Sequence, residues 1–368
     1  MDINDKIVIT GIGIVSPLGI GKEENWKQLI NCNHKVCYSK KLDAYIANLD
    51  NLNIADNERQ HKMAELAIYE ALKDANIANS FYNKKVGLCL GESKLNLFNN
   101  QFKYSLLEKL KQSFCFNGSL SCVSCACATG ILTIIQGCKL IEDDSCDVVV
   151  CGCSETSIHP LYIAGFKNMG VLTECMPKPF DKDRDGFAIG EGACFIVIEK
   201  LKDAIKSNAK IYGKIENFSN GIYSDKTLSM TSHIKMKQII KKATSGNTPD
   251  YIHMHGTATK LNDYNESKAV FECFDNASKI SLSSTKAATG HMLSVSAIAA
   301  TAFSLFAMKN NIVPPTLNFQ QTDINLNLDY TPNKPRLKNI NSSLVLSFGF
   351  GGQSCALFLK KYKCGEYA

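Results

Sequence analysis

The sequence predicts an α/β fold in which one succession of strands and helices is used twice. Short apolar runs of strand length, bounded by glycine, alternate with helical segments, and this alternation indicates a sheet covered by helices on both faces. The chain has 368 residues, of which 45% are hydrophobic, enough to fill two ordinary domains or one large α/β body. The order of elements before residue 205 is similar to the order after it, although no sequence repeat is visible.

The first half, residues 1–205, begins and ends with buried strands. We predict, in chain order, a strand over 7–15 that ends in glycine turns, a helix from Glu23 onward, a helix that starts at Cys127, and strands over 147–152 and 193–199. The helix at Cys127 is indicated by apolar residues at helical spacing over 131–141.

The second half, residues 206–368, repeats the alternation. Its predicted elements are a strand over 211–218, a lysine-rich helix over 232–243, a strand over 251–255, a helix over 265–274, a long buried helix over 297–309 and a strand over 343–347. No linker rich in proline, glycine or serine separates the halves, so we expect them to pack as one body.

Composition and charge exclude several classes of protein. The formal charge of +6 comes with no basic block long enough for a nucleic-acid-binding arm. The longest uncharged run, 292–308, is interrupted by hydroxyl residues and is shorter than the ~20 apolar residues of a spanning helix, so we predict no membrane span. The N-terminus lacks the pattern of a signal peptide, and the 16 cysteines are predicted to be free thiols in a reducing cytoplasm.

Cys127 gives the strongest chemical signal in the chain. It lies in a run of small residues, 123–130, that opens onto the predicted helix. A thiol at this point faces unpaired backbone N–H groups and the positive end of the helix dipole. We therefore expect its pKa to be lowered and thiolate to be available near neutral pH. The alternative is an inert, buried cysteine that packs as a small hydrophobic residue.

Two histidines far downstream give further signals. His255 follows a predicted strand, and the glycine and hydroxyl residues after it can hold its ring in one orientation toward a substrate. The alternative is a structural histidine that is hydrogen bonded to the backbone. His291 follows another turn, and Lys286 before it could pair with Asp263 or Glu266 and supply positive charge near the thiol.

The last predicted strand runs into a glycine turn at 347–352. Backbone N–H groups in such a turn can point into a cavity, which is what a site for an oxyanion requires. Other redox or cofactor motifs are incomplete. The glycine pair at 11–13 is followed by Pro17 where a phosphate-binding helix should begin, so a dinucleotide site is not favoured. Cys122 and Cys125 form a C-x-x-C spacing, but core packing is favoured over redox work.

Two motifs suggest metal sites, and neither is complete. The loop 181–192 has aspartates at the first three ligand positions of a calcium loop, but Glu191 stands one position too early. We therefore favour a salt-bridged structural loop. His253 and His255 are spaced as zinc ligands can be, but a third and a fourth ligand with suitable spacing do not follow. We predict no metal.

Together, these motifs resemble the elongating β-ketoacyl-acyl carrier protein synthases, members of the thiolase-like condensing enzymes. The resemblance covers nearly the whole chain in the expected order. The motifs that carry it are Val8–Gly13 with Ser16–Gly19, Ala126–Gly130, Pro179–Asp181 with Arg184–Phe187 and Gly190–Ala193, His255–Thr257 with Thr259, Asp263 and Glu266, Lys286 with Gly290 and His291, and Gly349–Gly352. Each motif alone is weak, but their common register makes the set specific.

The resemblance implies a thiolase-like five-layered αβαβα fold built from two related halves. The half 1–205 would carry the nucleophile Cys127, and the half 206–368 would carry His255 and His291. The implied activity is that of a 3-oxoacyl-[acyl-carrier-protein] synthase: Cys127 takes an acyl chain as a thioester, and malonyl-carrier protein loses carbon dioxide and attacks it. No cofactor is expected, because the substrates are carried on the phosphopantetheine of the carrier protein.

The resemblance also implies roles for single residues. His255 and His291 would donate N–H bonds to the enolate that decarboxylation leaves. The backbone N–H groups of Cys127 and Phe350 would hold the oxyanion of the tetrahedral intermediate, and Phe350 could gate the acyl pocket. Lys286, tied to Glu266, would tune the field around His291. The remaining residues expected to support the site or the substrate are Thr257, Thr259, Asp263, Glu266 and Gly349.

The implied partner is acyl carrier protein, and the implied assembly is a homodimer. A heterodimer with a related ketosynthase-like subunit is the alternative. The lysines of the predicted helix 232–243 are a candidate docking face for an acidic carrier protein. A solvated helix face is the other interpretation of the same charges.

Departures from the family pattern bear on the pathway. The stretch from Val86 to Cys127 is short, Cys125 occupies a usual threonine position, and 353–355 replaces the usual Thr-Asn-Ala after Gly352. These departures favour a specialised synthase, for an aryl polyene or another secondary polyketide, over the main fatty-acid enzyme. The alternative from a different class is a carrier-protein-binding, non-condensing partner subunit. Retention of the nucleophile and of both histidines argues against that alternative.

Overall fold

The computed structural model describes residues 6–49, 52, 54–77, 83–94, 105–223 and 232–363. The strands are β1 (Ile7–Ser16), β2 (Gly19–Ile20), β3 (Cys37–Ser39), β4 (Ala44–Ala47), β5 (Val86–Gly91), β6 (Leu120–Val123), β7 (Val148–Glu155), β8 (Ile189–Gly190), β9 (Gly192–Lys200), β10 (Gly213–Ile222), β11 (Tyr251–His253), β12 (Ser281–Ser283), β13 (Ile312–Val313), β14 (Arg336–Leu337), β15 (Ser342–Phe348) and β16 (Gln353–Lys360). The helices are α1 (Lys22–Ile30), α2 (Asp56–Asp74), α3 (Leu106–Phe114), α4 (Thr129–Glu142), α5 (Pro160–Asn168), α6 (Leu201–Lys206), α7 (His233–Thr244), α8 (Lys260–Cys273), α9 (Lys286–Thr289) and α10 (Ser294–Asn310).

One large sheet runs through the molecule, and its two halves have the same strand order. Its strands follow one another as β12-β11-β15-β16-β10-β1-β9-β7-β5-β6. In each half, the strands stand in the order third, second, fourth, fifth, first along the chain. The first three of these are parallel and the last two antiparallel. The halves join where β1 pairs with β10, so the predicted duplication of one architecture is confirmed.

Helices cover both outer faces and fill the space between the halves. α2 packs against β1 and β9 of the first half, whereas α7 packs against β10 and β16 of the second half and against α8. α4 and α10 contact each other and strands of both halves. The layers therefore run αβαβα, which confirms the fold class that the resemblance implied.

The central layer is dry and closely packed. The side chains of α10 from Ser294 to Met308 are all buried, as predicted for this helix. A Cβ atom at Gly130 of α4 would lie 2.6 Å from the backbone nitrogen of Ile298 and 2.8 Å from the carbonyl oxygen of Ser294. Glycine at this position therefore lets the two central helices touch. Among the described residues, no helix has both the length and the apolar character needed to cross a membrane.

Several element boundaries differ from the sequence prediction, and three of them concern predicted site residues. Cys127 lies in a 3₁₀ turn, Ala126–Ala128, and α4 begins at Thr129. The strand expected over 251–255 ends at His253, so His255 lies in the loop beyond it. The helix expected over 265–274 begins at Lys260. Its first turns were missed because they bury polar side chains, so the apolar spacing of a helix is not visible there.

A further difference is an additional strand, β16, which follows the glycine turn. β16 lies between β15 and β10 in the sheet, whereas the prediction ended the fold at the turn. Part of the short stretch between Val86 and Cys127, residues 95–104, lies outside the described residues.

Candidate active site

Cys127 is presented by a tight turn between β6 and α4. The residue before it, Ala126, has a φ of +44°, a left-handed backbone that is uncommon outside glycine. Thr129 fixes this turn, because its Oγ1 accepts the N–H of Cys125 at 2.8 Å and donates to the carbonyl of Ala126 at 2.6 Å. From the second half, Ser347 donates its hydroxyl to the carbonyl of Cys127 at 3.0 Å. The nucleophile is therefore held from both halves.

His255 lies in the loop between β11 and α8 and is held by two charged groups. The backbone N–H groups of His255 and Gly256 donate to the carboxylate of Glu266, at 2.5 and 2.9 Å. The ammonium of Lys286 donates to the carbonyl of His255, and its Nζ lies 3.5 Å from Nδ1 of the ring. An ammonium beside Nδ1 leaves the ring proton on Nε2.

His291 lies in the loop between α9 and α10 and is oriented by the backbone. Its own N–H donates to the carbonyl of Ala188 at 2.7 Å. Its Nδ1 accepts the backbone N–H of Leu293 at 3.2 Å and lies 2.9 Å from the hydroxyl of Ser296. Because a backbone N–H can only donate, Nδ1 carries no proton and Nε2 is the N–H donor.

The three groups converge in one buried cavity. The sulfur of Cys127 and a ring nitrogen from each histidine all lie within 4.8 Å of one another. The rings of His255 and His291 stand nearly perpendicular, with centroids 5.5 Å apart. The other residues that line the cavity are Phe187, Thr257, Thr259, Phe348 and Phe350.

The remaining predicted residues surround this cavity at different distances. Thr257 and Thr259 line it, and their hydroxyl oxygens lie 2.9 Å apart. Gly349 packs on the nucleophile turn: a Cβ atom there would lie 3.3 Å from the backbone nitrogen of Cys127. Phe350 follows directly and lines the cavity. Asp263 stays behind the site, where it accepts the N–H of Phe180 at 2.7 Å.

The expected direct tie between Lys286 and Glu266 is wrong. Both groups bind His255 instead: Glu266 accepts its backbone N–H, and Lys286 donates to its carbonyl. Glu266 also accepts the N–H of Gly256. The two charges therefore lie on opposite sides of the peptide group that joins His255 to Gly256. Glu266 is buried on α8, and its carboxylate reaches the N–H groups of His255 and Gly256.

The expected low pKa of Cys127 is also wrong for the protein without substrate. Burial raises the pKa of the thiol to about 12, although the positive charges of Lys286 and Lys94 act in the opposite direction. The sequence could show the helix that follows the cysteine, but not that the turn would be removed from water. The resting nucleophile is therefore a thiol.

Burial also sets the charge of the other groups in the site. It holds the pKa values of His255 and His291 well below that of a free imidazole, and the nearby Lys286 adds to this effect. Both rings are therefore neutral near pH 7. Burial lowers the pKa of Lys286 and raises that of Glu266, while their opposite charges oppose these changes.

Sequence reasoning missed two charged residues next to the site. Lys94 follows β5 and Glu155 ends β7, and the two side chains form an ion pair. The signal that could have found Glu155 is a carboxylate directly after an apolar strand, since the carboxyl ends of strands in α/β proteins are where ligands bind. The predicted strand ended at 152 and so left this residue out. Lys94 carries no comparable signal in the sequence.

The groups suspected of binding metals are used in other ways. Asp181 accepts backbone N–H bonds from Asp183, Gln320 and Gln321. Glu191 forms an ion pair with Arg59 at 2.5 Å. Within the described ranges, the one cluster with metal-ligand geometry is Cys127 with the two active-site histidines. There, however, Nε2 of His291 carries a proton and points into the cavity, which suits a donor better than a metal ligand.

The sequence of the chain matches two family models in turn. The N-terminal domain of β-ketoacyl synthase matches residues 33–204, and the C-terminal domain of β-ketoacyl synthase matches residues 215–320. The chain belongs to the β-ketoacyl synthase family. Its members are condensing enzymes, that is, acyltransferases that form carbon–carbon bonds.

Curated relatives agree with this assignment along the whole chain. The chain is 31% identical to 3-oxoacyl-[acyl-carrier-protein] synthase 2 of Rhizobium meliloti, over 97% of this chain and 99% of that protein. It is 30% identical to the enzyme of the same name from Coxiella burnetii, over 97% and 98%. The Rhizobium alignment runs over 428 positions, more than the 368 residues of this β-ketoacyl synthase. The chain therefore lacks segments that this relative has.

Solved structures share the fold of this β-ketoacyl synthase. One is a type II polyketide ketosynthase in complex with its acyl-carrier protein and bound to the hexaketide, with a TM-score of 0.89 and 24% identity over 97% of this chain and 99% of that one. Another is the ishigamide ketosynthase/chain length factor, with a TM-score of 0.90 and 22% identity over 97% and 99%.

Proposed function

We propose that the protein is an elongating 3-oxoacyl-[acyl-carrier-protein] synthase that condenses an acyl thioester on Cys127 with malonyl-acyl carrier protein. The observation that carries this proposal is the convergence of one sulfur and two neutral imidazoles within 4.8 Å in a buried cavity. A scaffold subunit has no chemical need for this arrangement. The names of the relatives support the same reaction.

In the first step, the sulfur of Cys127 attacks the carbonyl carbon of the incoming acyl thioester. The new S–C bond forms as the bond to the carrier's phosphopantetheine sulfur breaks. Because the pKa of Cys127 is raised by burial, its proton leaves only as the attack proceeds. The departing pantetheine thiolate takes up one proton, so protons balance over the step.

The oxyanion of each tetrahedral intermediate is assigned to two backbone N–H groups, those of Cys127 and Phe350. Gly349 holds the 349–352 turn against the nitrogen of Cys127, which supports this assignment. Fixed N–H donors in a dry site stabilise developing negative charge without reorganisation, and one such donor contributes about 10²–10³ in rate.

In the second step, malonyl-carrier protein loses carbon dioxide and leaves an enolate. Its oxygen is assigned to the Nε2–H groups of His255 and His291. Neutral rings suit this role, because each keeps the proton that it donates as a hydrogen bond. The enolate carbon then attacks the acyl carbonyl, the bond to Cys127 breaks, and the thiolate of Cys127 regains a proton. Lys286 is assigned the role of a fixed cation. It holds His255 in place and offsets the negative charge on this sulfur.

The partner is proposed to be acyl carrier protein, and the assembly a homodimer, with a related ketosynthase-like subunit as the alternative. Among the described residues, β6 is the last strand of the large sheet, and an edge strand can pair with a second chain. The docking role of the helix over 232–243 has weaker support. Lys237 pairs with Glu272 at 3.0 Å, and Lys235 stacks on Tyr223.

We further propose a specialised polyketide pathway, such as aryl polyene synthesis, and a cytoplasmic location. The gaps in the alignment with the longer relatives support specialisation. The described cysteines are all free, which is consistent with a reducing compartment. Substrates are expected to arrive on phosphopantetheine, with no bound cofactor or metal.

One experiment tests the reaction. Purified protein is mixed with a panel of acyl-carrier donors and then with malonyl-carrier protein. Mass spectrometry should find the acyl group on Cys127, and carbon dioxide release should follow. Absence of both would contradict the enzyme proposal and favour the non-condensing subunit. The donors whose acyl groups remain on Cys127 would identify the starter unit.

A further inference from the structure

A second buried ion pair lies on the side of the site that the first half supplies. Glu155, at the end of β7, is only 3% exposed, and its carboxylate pairs with the ammonium of Lys94. Lys94 also donates to the hydroxyl of Ser157 at 2.6 Å and lies over the ring of Tyr162, 4.8 Å from its centroid. Neither charge has a role in the steps described above.

The pair is fixed to the scaffold of the active site. Glu155 Oε1 accepts the hydroxyl of Ser93 at 2.5 Å and the hydroxyl of Ser294 at 2.6 Å. Ser294 begins α10, just after His291, and its carbonyl lies against Gly130 of the nucleophile helix. The carboxylate therefore connects the loop that carries Lys94 to the start of both central helices.

The repeated strand order shows why this pair belongs to the site. In the second half, the loops after the parallel strands β11, β12 and β15 deliver His255, His291 and Phe350. In the first half, the loops after β6 and β5 carry Cys127 and Lys94, and β7 itself ends at Glu155. The carboxyl ends of parallel strands meet at one edge of a sheet. In each half, the residues at or after the ends of three parallel strands therefore lie at the active site.

We propose that Lys94 supplies a second cation for the sulfur of Cys127, from the first half as Lys286 does from the second. This inference rests on the proposed role of Cys127 as the nucleophile. The sulfur becomes negative twice in each cycle, when it attacks and when it is expelled. A fixed cation close by stabilises both states.

The charged groups around the sulfur of Cys127 shift its pKa in opposite directions. The titratable groups whose charges act on Cys127 belong to α9 (Lys286), the loop after β5 (Lys94), β7 (Glu155) and its own turn (Cys125), and the two active-site histidines are neutral. Lys94 lowers the pKa of the thiol, and Glu155 raises it to a smaller extent. Removal of the two charges should therefore change the reactivity of the sulfur in opposite directions.

The test is the rate at which iodoacetamide alkylates Cys127 in the full chain, followed by mass spectrometry of its peptide between about pH 6 and 9. The thiol loses its proton to solvent, the S–C bond forms and iodide leaves. We expect Lys94→Met to slow alkylation about tenfold at each pH, which corresponds to one unit of pKa. Lys94→Arg should restore the rate to within about twofold, and Glu155→Gln should not slow it.

A matched pair elsewhere in the chain provides the control. Lys84 pairs with buried Glu199 at 3.1 Å, at the opposite end of the same sheet from Glu155. Lys84→Met should leave the alkylation of Cys127 unchanged, and the exposed thiols of Cys37 and Cys115 give an internal reference rate.

Three results would overturn the inference: an unchanged rate in Lys94→Met, an equal loss in Lys84→Met, or failure of a folded Lys94→Arg protein to recover. A fourth is equal slowing by Glu155→Gln, which would indicate a structural role. None of these results concerns condensation. The proposed function fails by a different observation, the absence of an acyl group on Cys127 in the unaltered protein.

Discussion

The two halves of the molecule use the same connection for different chemistry. In each half, the third strand leads into a central helix: β6 into α4, and β12 into α10. The first connection is short and places Cys127 one turn before its helix. The second, over 284–293, is longer and carries both Lys286 and His291. In each case, the approach to the helix includes a non-glycine residue with positive φ, Ala126 at +44° and Leu293 at +47°.

The difference in length decides what each connection can do. The short one places Cys127 in a 3₁₀ turn directly before its helix. The long one folds back on itself, so that the N–H of Leu293 binds Nδ1 of His291 and turns the other ring nitrogen into a donor. The common topology places both connections in the site. Because their lengths differ, the first presents the nucleophile Cys127 and the second presents the hydrogen-bond donor His291.

Loss of the nucleophile should have the largest effect. We expect Cys127→Ala to abolish acyl transfer from carrier protein, a loss of at least about 10³-fold, because no other group can form the thioester. Intact-mass spectrometry after incubation with acyl-carrier protein measures this. Cys138→Ala, which alters a buried thiol on the helix that follows Cys127, should still be acylated. Acylation of the Cys127→Ala protein at another cysteine would refute the assignment.

Loss of either histidine donor should affect decarboxylation rather than acyl transfer. We expect His291→Ala and His255→Ala each to lower carbon dioxide release from malonyl-carrier protein by about 10²–10³-fold, the value of one fixed donor in a dry site. Acylation of Cys127 should change by less than about tenfold. Carbon dioxide release and acylation are measured separately. Full decarboxylation in either variant would show that the histidine roles are wrong.

The contact between the two halves should be sensitive to a single methyl group. Gly130→Ala places a Cβ within 2.6 Å of the backbone of α10, so we expect a loss of about 2–4 kcal/mol in the free energy of unfolding. Gly165→Ala is the matched change, since nothing lies within 4 Å of its Cβ position on α5. It should be neutral or stabilise the protein by about 0.5–1 kcal/mol. Equal denaturant midpoints for the two variants would contradict the close packing.

The second half should make the protein sensitive to acid. Burial lowers the pKa of His253 to about 3, and those of His255 and His291 are also lowered. Below about pH 6.5 the unfolded chain binds protons that the folded protein does not, so stability falls as pH falls. Each histidine should contribute about 1.4 kcal/mol per pH unit until its folded pKa is reached.

Urea midpoints between about pH 7.5 and 4.5 measure this loss. His253→Gln removes one of the three groups without touching the cavity lining, so its slope with pH should be shallower by one proton. Burial raises the pKa values of Glu266 and Asp263, and these two groups oppose the loss in the same range. The decisive comparison is therefore between the two proteins: equal slopes in His253→Gln and the unaltered protein would refute the neutral state of the His253 ring.

The smallest effect is expected on the outer helix of the second half. Lys241→Glu with Lys242→Glu reverses two charges of α7, and we expect kcat/KM for carrier protein to change by less than about twofold if this is a solvated face. Steady-state rates at two salt concentrations measure it. A larger, salt-dependent loss would instead identify α7 as the docking face for the carrier protein.

The sequence by itself determined the fold class and the main chemical groups. Apolar residues recur with the period of a strand or a helix because local backbone geometry imposes it, and glycines mark where the elements end. Strands such as β1 and the buried helix α10 could therefore be predicted. The motifs around Cys127, His255 and His291 indicated the family together with the other motifs, because the whole set occurs in the expected order along the chain.

Only the tertiary structure decided the electrostatics of the site. The pKa of Cys127 depends on the water that its surroundings exclude, and these surroundings come from segments distant in sequence. The same is true of Glu266, whose carboxylate binds the backbone of His255 in another segment, and of Lys94, which no motif marks. Charge, burial and ring tautomer follow from the meeting of loops, and the sequence does not show which loops meet.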